Sequence, residues 1–258
     1  MKIFTFFNCK GGVGKTTLII LLASYLAYVK HLRVIVVDME KPDYRIRRFR
    51  ESEIEQLADP STPLARYASR NQMPDPSTYY TIQESGLTMY EYTPENIRDQ
   101  VDRIADMKCD DEYDVALLDF PAGFAKGLPI YRLAEEGILD AVYVPHALES
   151  QERRSACRAA LGLATDGEKV RLLWNNVDAN IIRHQGHRLD EGEREVEFLK
   201  DYEVLYSPTR IKHFAKAAQE TDEKCFVRTT VCWPDRYVRM WCPELIDLFE
   251  EIVNLLQL

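Results

Sequence analysis

The chain has 258 residues, is 46% hydrophobic and 29% charged, and carries a formal net charge of −9. That make-up fits a globular α/β protein of one large domain and excludes a disordered chain. An acidic chain repels nucleic acid on average, so any DNA contact requires a local basic patch.

In chain order, "KIFTFFN" is a β-branched and aromatic run that ends at a glycine-rich turn, as a buried strand does. "KTTLIILLASYLAYVK" combines helix formers with apolar residues on nearly every face, and reads as a helix packed on a sheet. "RVIVVD" is a second apolar strand ending in Asp38, so strand, glycine loop, helix and strand make a right-handed βαβ unit. Residues 39–80 are less regular; "YRIRRFRESEIEQLA" is helical, and "DPSTP" and "MPDPSTYY" are loop-forming. "TPENIRDQVDRIADM" opens on Thr-Pro-Glu and places apolar residues at 97, 101 and 104, the pattern of an amphipathic helix. "YDVALLD", ending in Asp119, and "AVYVP" are strands; "SQERRSACRAALGLA" is a helix; "VRLLWNN" is a fifth strand. Next come a helix over "GEREVEFLKDY", a short strand over "EVLYS", and closing helices over "TRIKHFAKAAQET" and "PELIDLFEEIVNLL". Unbroken apolar strands alternating with helices imply one mostly parallel central sheet covered by helices on both faces, in a single α/β domain spanning residues 1–258.

The six cysteines, Cys9, Cys109, Cys157, Cys225, Cys232 and Cys242, form no Cys-x-x-Cys pair, and no histidine stands at zinc-finger spacing. They read as reduced thiols packed as small apolar groups. The run "IFTFF" is too short for the core of a signal peptide, and "LIILLASYLAYV" is too short to span a bilayer. The expected location is the cytoplasm, with association to the nucleoid.

The chemistry concentrates in "NCKGGVGKTT", residues 8–17. Gly11, Gly12 and Gly14, with Val13 between them, let backbone N–H groups turn toward phosphate oxygens, and the helix starting near Lys15 adds its positive N-terminal end. Lys15 should reach the β and γ phosphates of a bound nucleotide, and Thr16, followed by Thr17, should place its hydroxyl on Mg²⁺. A lysine–phosphate contact at about 4 Å is worth about 4 kcal/mol at an effective dielectric of about 20. The usual loop would have glycine at position 9, which is Cys9 here, and an additional lysine, Lys10, follows it.

K-G-G-V-G-K-T-T, residues 10–17, resembles the deviant Walker A loop of the ParA/MinD family of P-loop ATPases, whose hallmark is the early lysine. The resemblance implies a P-loop NTPase fold, ATP hydrolysis, and a face-to-face, ATP-dependent homodimer in which Lys10 reaches the partner's nucleotide. "VVDMEKPD" matches the family's switch I stretch, with Asp38 as its first acid and Glu40 near its second; such acids orient the attacking water or hold the Mg²⁺ shell. The family's Pro-Gln is absent there. "YDVALLDFPAG" resembles the family's Walker B stretch, so Asp119 would bind Mg²⁺ and Gly123 would let switch II approach the γ phosphate. By the same resemblance Asn175, or Asn176 beside it, would contact adenine, as would Pro208 in "YSPTR". Residues 45–100 match no part of the family pattern.

For the cargo, the ParA-like expectation is partition of DNA, of a plasmid or mobile element. It requires nonspecific DNA binding and an adaptor protein that stimulates hydrolysis. The candidate basic patch is Arg183, Arg188, Arg210, Lys212, Lys216, Arg228, Arg236 and Arg239, with Arg210, Lys212 and Lys216 on one helix. Arg45, Arg47, Arg48 and Arg50 form a second cluster beside switch I. A few phosphate contacts would give weak, salt-sensitive binding. A MinD-like membrane role is the alternative, but "PELIDLFEEIVNLLQL" carries acids on its polar face, which anionic lipid repels. An iron–sulfur relative such as the nitrogenase iron protein would need cysteine pairs, and a dethiobiotin-synthase-like enzyme could use the same loop for a different reaction.

Overall fold

The computed structural model describes residues 1–41, 45–70, 80–123, 129–164, 169–213 and 243–258. Their strands are β1 (Lys2–Phe6), β2 (Val34–Asp38), β3 (Tyr80–Glu84), β4 (Val115–Asp119), β5 (Ala141–His146), β6 (Val170–Val177) and β7 (Leu205–Lys212). The helices are α1 (Lys15–Tyr28), α2 (Arg45–Ala58), α3 (Pro63–Arg70), α4 (Pro94–Lys108), α5 (Pro129–Glu135), α6 (Ser150–Leu163), α7 (Ala179–His184), α8 (Gly186–Arg194) and α9 (Pro243–Leu256). The strands form one sheet in the order β3-β2-β4-β1-β5-β6-β7, and every pairing in it is parallel.

A parallel sheet buried on both faces needs apolar residues at consecutive positions, and the central strands supply them. Along β1 the side chains alternate between two cores. Phe4 and Phe6 pack with α1 and α9 on one face, and Ile3 packs with α4, α5 and α6 on the other. The apolar surround of α1 has a simple cause: the sheet takes one side of the helix and α9 another, with the Tyr25 ring 5.4 Å from that of Phe249. Every residue of α1 from Leu18 to Tyr28 is buried as a result. The acids of α9 also face inward in part. Glu251 accepts hydrogen bonds from Tyr143, Ser207 and Thr209 and so ties the helix to β5 and β7.

The expected loop "MPDPSTYY" lies outside the described residues as far as residue 79; its last residue, Tyr80, opens β3, for which no element was expected and which pairs with β2 from Val34↔Tyr80 to Asp38↔Glu84. Its alternating "YTIQE" suits an edge strand. Two expectations change. The helix expected over "GEREVEFLKDY" breaks at Val196, between α8 and a 3-10 turn over Glu197–Tyr202. The helix expected to begin at Thr209 does not: Thr209–Lys212 end β7, with Ile211 buried in the core. Pro208 lies in this strand rather than in a loop, which an edge strand tolerates because its missing N–H costs no ladder bond on the open side. The remainder of that expected helix, from residue 214, lies outside the described residues.

Leu248 of α9 is fully buried in the α1 core. Leu248→Ala should lower the free energy of unfolding by about 2–5 kcal/mol, measured by urea denaturation; a loss below about 1 kcal/mol would mean that α9 does not close this core.

Candidate functional site

The site lies at the carboxyl ends of the central strands, where parallel sheets place ligands. β1 runs directly into the glycine loop, and the loop into α1. Gly14 is the N-cap of α1 with φ 89°, and Gly12 has φ 78°. Both are left-handed, which glycine adopts without strain. Gly14 has a second constraint: a Cβ there would lie 2.6 Å from Asn175 Nδ2. A Cβ at Gly11 would stand 3.6 Å from Ala122 Cβ, so the loop lies against the stretch that follows β4.

Lys15 opens α1 with its side chain almost wholly buried, and its ammonium donates to the Lys10 carbonyl at 3.2 Å. Burial pushes its pKa down, and the carboxylates of Asp119 and Glu40 oppose that shift. The Thr16 hydroxyl donates to Asp119 Oδ2 at 2.8 Å. Asp119 Oδ1 is buried and has no hydrogen-bond partner. Burial raises the Asp119 pKa to about 7; the bond from Thr16 opposes this and the charge of Asp38 adds to it.

Asp38 and Asp119 are register partners at the ends of β2 and β4. Asp38 accepts from the backbone N–H groups of Glu40 at 3.1 Å and Ile46 at 3.2 Å. Burial nonetheless raises its pKa to about 6. Glu40 is half-buried beside it. Gly123 has φ 155°, and residues 124–128 after it lie outside the described residues.

Lys10 points elsewhere. Its ammonium lies 2.7 Å from Glu152 Oε1 and 3.8 Å from Glu149 Oε2, both at the start of α6, and its side chain is 34% exposed. The hydrogen bond to Glu152 raises its pKa. Its backbone is tethered as well. Asn8 is fully buried; its Oδ1 accepts from the Lys10 N–H at 2.9 Å and the Ser155 hydroxyl at 2.7 Å, while its Nδ2 donates to the Pro145 carbonyl at 2.8 Å. Asn8, Glu152 and Ser155 were invisible as site residues in the sequence. Asn8 precedes the motif, and the other two stand more than 140 positions away, where nothing in their surroundings marks them.

The late-strand residues divide. Asn175 is buried, and its Nδ2 donates to the Val13 carbonyl at 2.8 Å, so it props the glycine loop. Asn176 is exposed, in the left-handed conformation, and bonds to His213. Pro208 is exposed on β7.

The basic patch is thinner than the sequence suggests. Arg183 and Arg188 are exposed on α7 and α8. Arg210 is paired with Asp190 at 3.3 Å and Glu193 at 3.1 Å, and Lys212 with Glu244 at 3.4 Å, because β7 carries both toward acidic helices. Lys216, Arg228, Arg236 and Arg239 lie outside the described residues. In the second cluster Arg50 is buried against Glu53 and Tyr28, and Arg47 pairs with Glu51 and Glu84, which leaves Arg48 exposed. The side chain of Arg45 lies outside the described residues. Of the cysteines, Cys9 is buried, Cys157 half-buried and Cys109 exposed, all with free thiols; the other three lie outside the described residues. Among the described residues no His/Cys/Asp/Glu group has the make-up of a closed metal cage, and no helix is long and apolar enough to cross a membrane.

Residues 1–55 match the family model described as an AAA domain. No curated protein matches the sequence. Among solved structures, the MinD cell division protein of Aquifex aeolicus superposes with a TM-score of 0.62 at 18% identity, over 98% of each chain. A ParA family ATPase from Chlorobium tepidum gives 0.60 at 17%, over 96% of this chain and 98% of that one. A putative plasmid partition protein from Borrelia burgdorferi, bound to AMPPNP, gives 0.59 at 17%, over 97% and 99%. With its glycine-lysine loop at the end of the first strand, the chain therefore has the fold of the ParA/MinD group of P-loop ATPases.

Proposed function

We propose that this chain is an ATP-dependent, dimerising switch of the ParA type, acting in partition of a plasmid or other mobile DNA through nonspecific DNA binding and adaptor-stimulated hydrolysis. The observation that carries the reading is the convergence of Lys15, Thr16, Asp38 and Asp119 on one end of the sheet, beneath a glycine loop at a helix N-terminus.

The residues present fit a nucleotide triphosphate with Mg²⁺. Among the described residues Asp119 Oδ1 is a buried acceptor without a partner, the Thr16 hydroxyl sits beside the same carboxylate, and the Lys15 ammonium bonds to a backbone carbonyl alone. Thr16 and Asp119 would hold the ion, whose charge offsets that of the phosphates when it is bound. Residues 11–17 would cradle the phosphates with backbone N–H groups, and Lys15 would exchange its carbonyl partner for a phosphate oxygen. Asp38 and Glu40 would orient the attacking water. Asn175 would meet the base from its place under the loop, with Pro208 as the second candidate contact. Lys10 would leave Glu152 to reach the nucleotide of a second copy.

DNA contact is the finer part of the reading. Arg48, Arg183 and Arg188 support it: each is exposed and makes no ion pair with another described residue. A cargo other than DNA is the second reading, favoured by the ion pairs that occupy Arg210 and Lys212. A MinD-like hold on anionic membrane fits less well, since the exposed Asp247 of α9 adds negative charge at that surface and Glu250 is neutralised by Lys30 rather than replaced by a basic residue.

Two variants should separate binding from dimerising. Lys15→Ala should weaken ATP binding on the order of a thousandfold, the size expected for a lost lysine–phosphate contact of about 4 kcal/mol. Lys10→Ala should keep nucleotide binding but lose the ATP-dependent doubling of mass in light scattering. A wild-type protein whose mass does not respond to Mg-ATP would refute the switch.

The DNA reading is tested by salt-dependent retention of duplex DNA with ATP and with ADP. Retention with ATP that falls as salt rises is expected; equal or absent retention in both states would transfer the switch to another cargo.

Titration gives an independent check on Asp119. Its carboxyl sits at about 7 in the fold and about 3.9 in an unfolded chain. The folded state therefore binds this proton more tightly. The resulting stability is complete below about pH 4 and is lost as pH rises through about 7. In nucleotide-free protein, Asp119→Asn should raise Tm above wild type at about pH 8 and flatten the decline of Tm between about pH 5 and pH 8. Parallel curves for the two proteins would contradict the burial of an ionisable carboxyl at this position.

A further inference from the structure

Residues 45–100 match no part of the family pattern, yet one stretch among them reaches the site. After β3 the chain runs through Ser85, Gly86, Leu87 and Thr88 into a 3-10 turn over Met89–Glu91. It lies along Met39, Glu40 and Lys41, which follow Asp38 at the end of β2. Phosphate and metal binding give it no task.

Gly86 makes the closest contact. A Cβ there would lie 2.7 Å from both the backbone nitrogen and the Cβ of Lys41, and 2.8 Å from the Met39 carbonyl oxygen. Only glycine lets two backbones meet in this way. The atoms it touches flank one residue: the Met39 carbonyl belongs to the peptide group before Glu40, and the Lys41 nitrogen to the peptide group after it.

Gly86 is itself fixed from behind. The Ser85 N–H donates to the Asp38 carbonyl at 2.9 Å, and the Ser85 carbonyl accepts from the side-chain amide of Gln100, a buried residue of α4. Farther along, the Lys41 ammonium stands 3.2 Å from each carboxylate oxygen of Glu91, and Glu91 Oε2 also accepts from the Thr88 N–H and hydroxyl, each at 2.7 Å. The bonds from Thr88 and the charge of Lys41 hold the Glu91 carboxyl down at about 2, so the pair stays ionised. An ion pair as exposed as this one adds little alone. The backbone contact at Gly86 is the stronger constraint.

Glu40 stands between these two holds. Its N–H donates to Asp38 Oδ1 at 3.1 Å, and the Met39 N–H donates to the Asp119 carbonyl at 3.0 Å. The Glu40 charge acts on Lys15, Asp38 and Asp119 together, so its carboxylate shares their site.

We infer that Gly86 is a positioning residue for hydrolysis: it packs on the two peptide groups that flank Glu40 and so sets where the Glu40 carboxylate meets the attacking water, while Glu91 holds Lys41 as the second point of the clamp. The inference rests on the ATPase reading, in which Glu40 orients that water. A shift of about 1 Å at a reacting group can cost about a hundredfold in rate, and a side chain at Gly86 forces a shift of the backbone that carries Glu40.

Single-turnover hydrolysis of Mg-ATP by the full chain tests this. Gly86→Ala should slow the chemical step about tenfold or more, with the dissociation constant for ATP within about twofold of wild type. Placed in Glu40→Gln, the same substitution should cost less than about twofold further, because a residue that acts through Glu40 then has nothing left to position. Glu91→Gln, which keeps an acceptor for Thr88 and loses the charge opposite Lys41, should slow the step about threefold. Thermal melting like that of wild type would show that each variant is folded; if Gly86→Ala does not fold, Glu91→Gln with and without Glu40→Gln decides. A folded Gly86→Ala with the wild-type rate, a loss carried by ATP affinity instead of rate, or equal losses with and without Glu40 would overturn the inference while leaving the ATPase reading in place. A wild-type chain that turns over no Mg-ATP would overturn both.

Discussion

Two buried carboxylates side by side are the constraint around which this structure is organised. The parallel register that aligns β2 with β4 sets Asp38 directly beside Asp119 at the ends of the two strands. Burial alone drives both acids toward their neutral forms; the charge of Asp38 adds to it at Asp119, and those of Glu40 and Glu84 add to it at Asp38. Such a pair persists only where cations and donors are supplied nearby. Here they are the Lys15 ammonium, the Thr16 hydroxyl and two backbone N–H groups. Each comes from a segment that the βαβ connection forces to the same end of the sheet.

The scaffold holds that end rigid from both sides. Above the sheet α1 is pinned by α9, which is in turn fastened to β5 and β7 through Glu251. Below it α6 reaches the glycine loop twice, through Ser155 on Asn8 and Glu152 on Lys10. Asn175 braces the loop from β6. The loop therefore has glycines for freedom at Gly12 and Gly14 and side-chain tethers elsewhere, so its backbone donors are set before any ligand arrives.

What was legible in the sequence followed from local signals. The central strands, α1, α4, α6 and α9 announce themselves by unbroken apolar runs or helical periodicity, and the glycine loop by its spacing. Asp38 and Asp119 were visible because each ends an apolar run. The misreadings came where local and tertiary forces part. The residues Thr209–Lys212 have the composition of a helix start, yet they extend β7 because Glu251 and the core behind Ile211 reward the extended form. Arg210, Lys212 and Arg50 look like free cations in one dimension. Their acidic partners stand on other elements or in the next helical turn, and pairing becomes apparent only when the chain is folded. The contacts of Asn8 and Glu152 span more than 135 positions, a separation at which no sequence pattern exists.

One short relay ties the two lysines of the loop to each other. The carbonyl that receives the Lys15 ammonium is that of Lys10, and the Lys10 side chain is at the same time held by Glu152. An anion that drew Lys15 away would leave the Lys10 carbonyl, five residues upstream, without its donor. The two lysines thus meet at a single peptide group, and a change of partner at one reaches the backbone of the other without crossing the sheet or a helix.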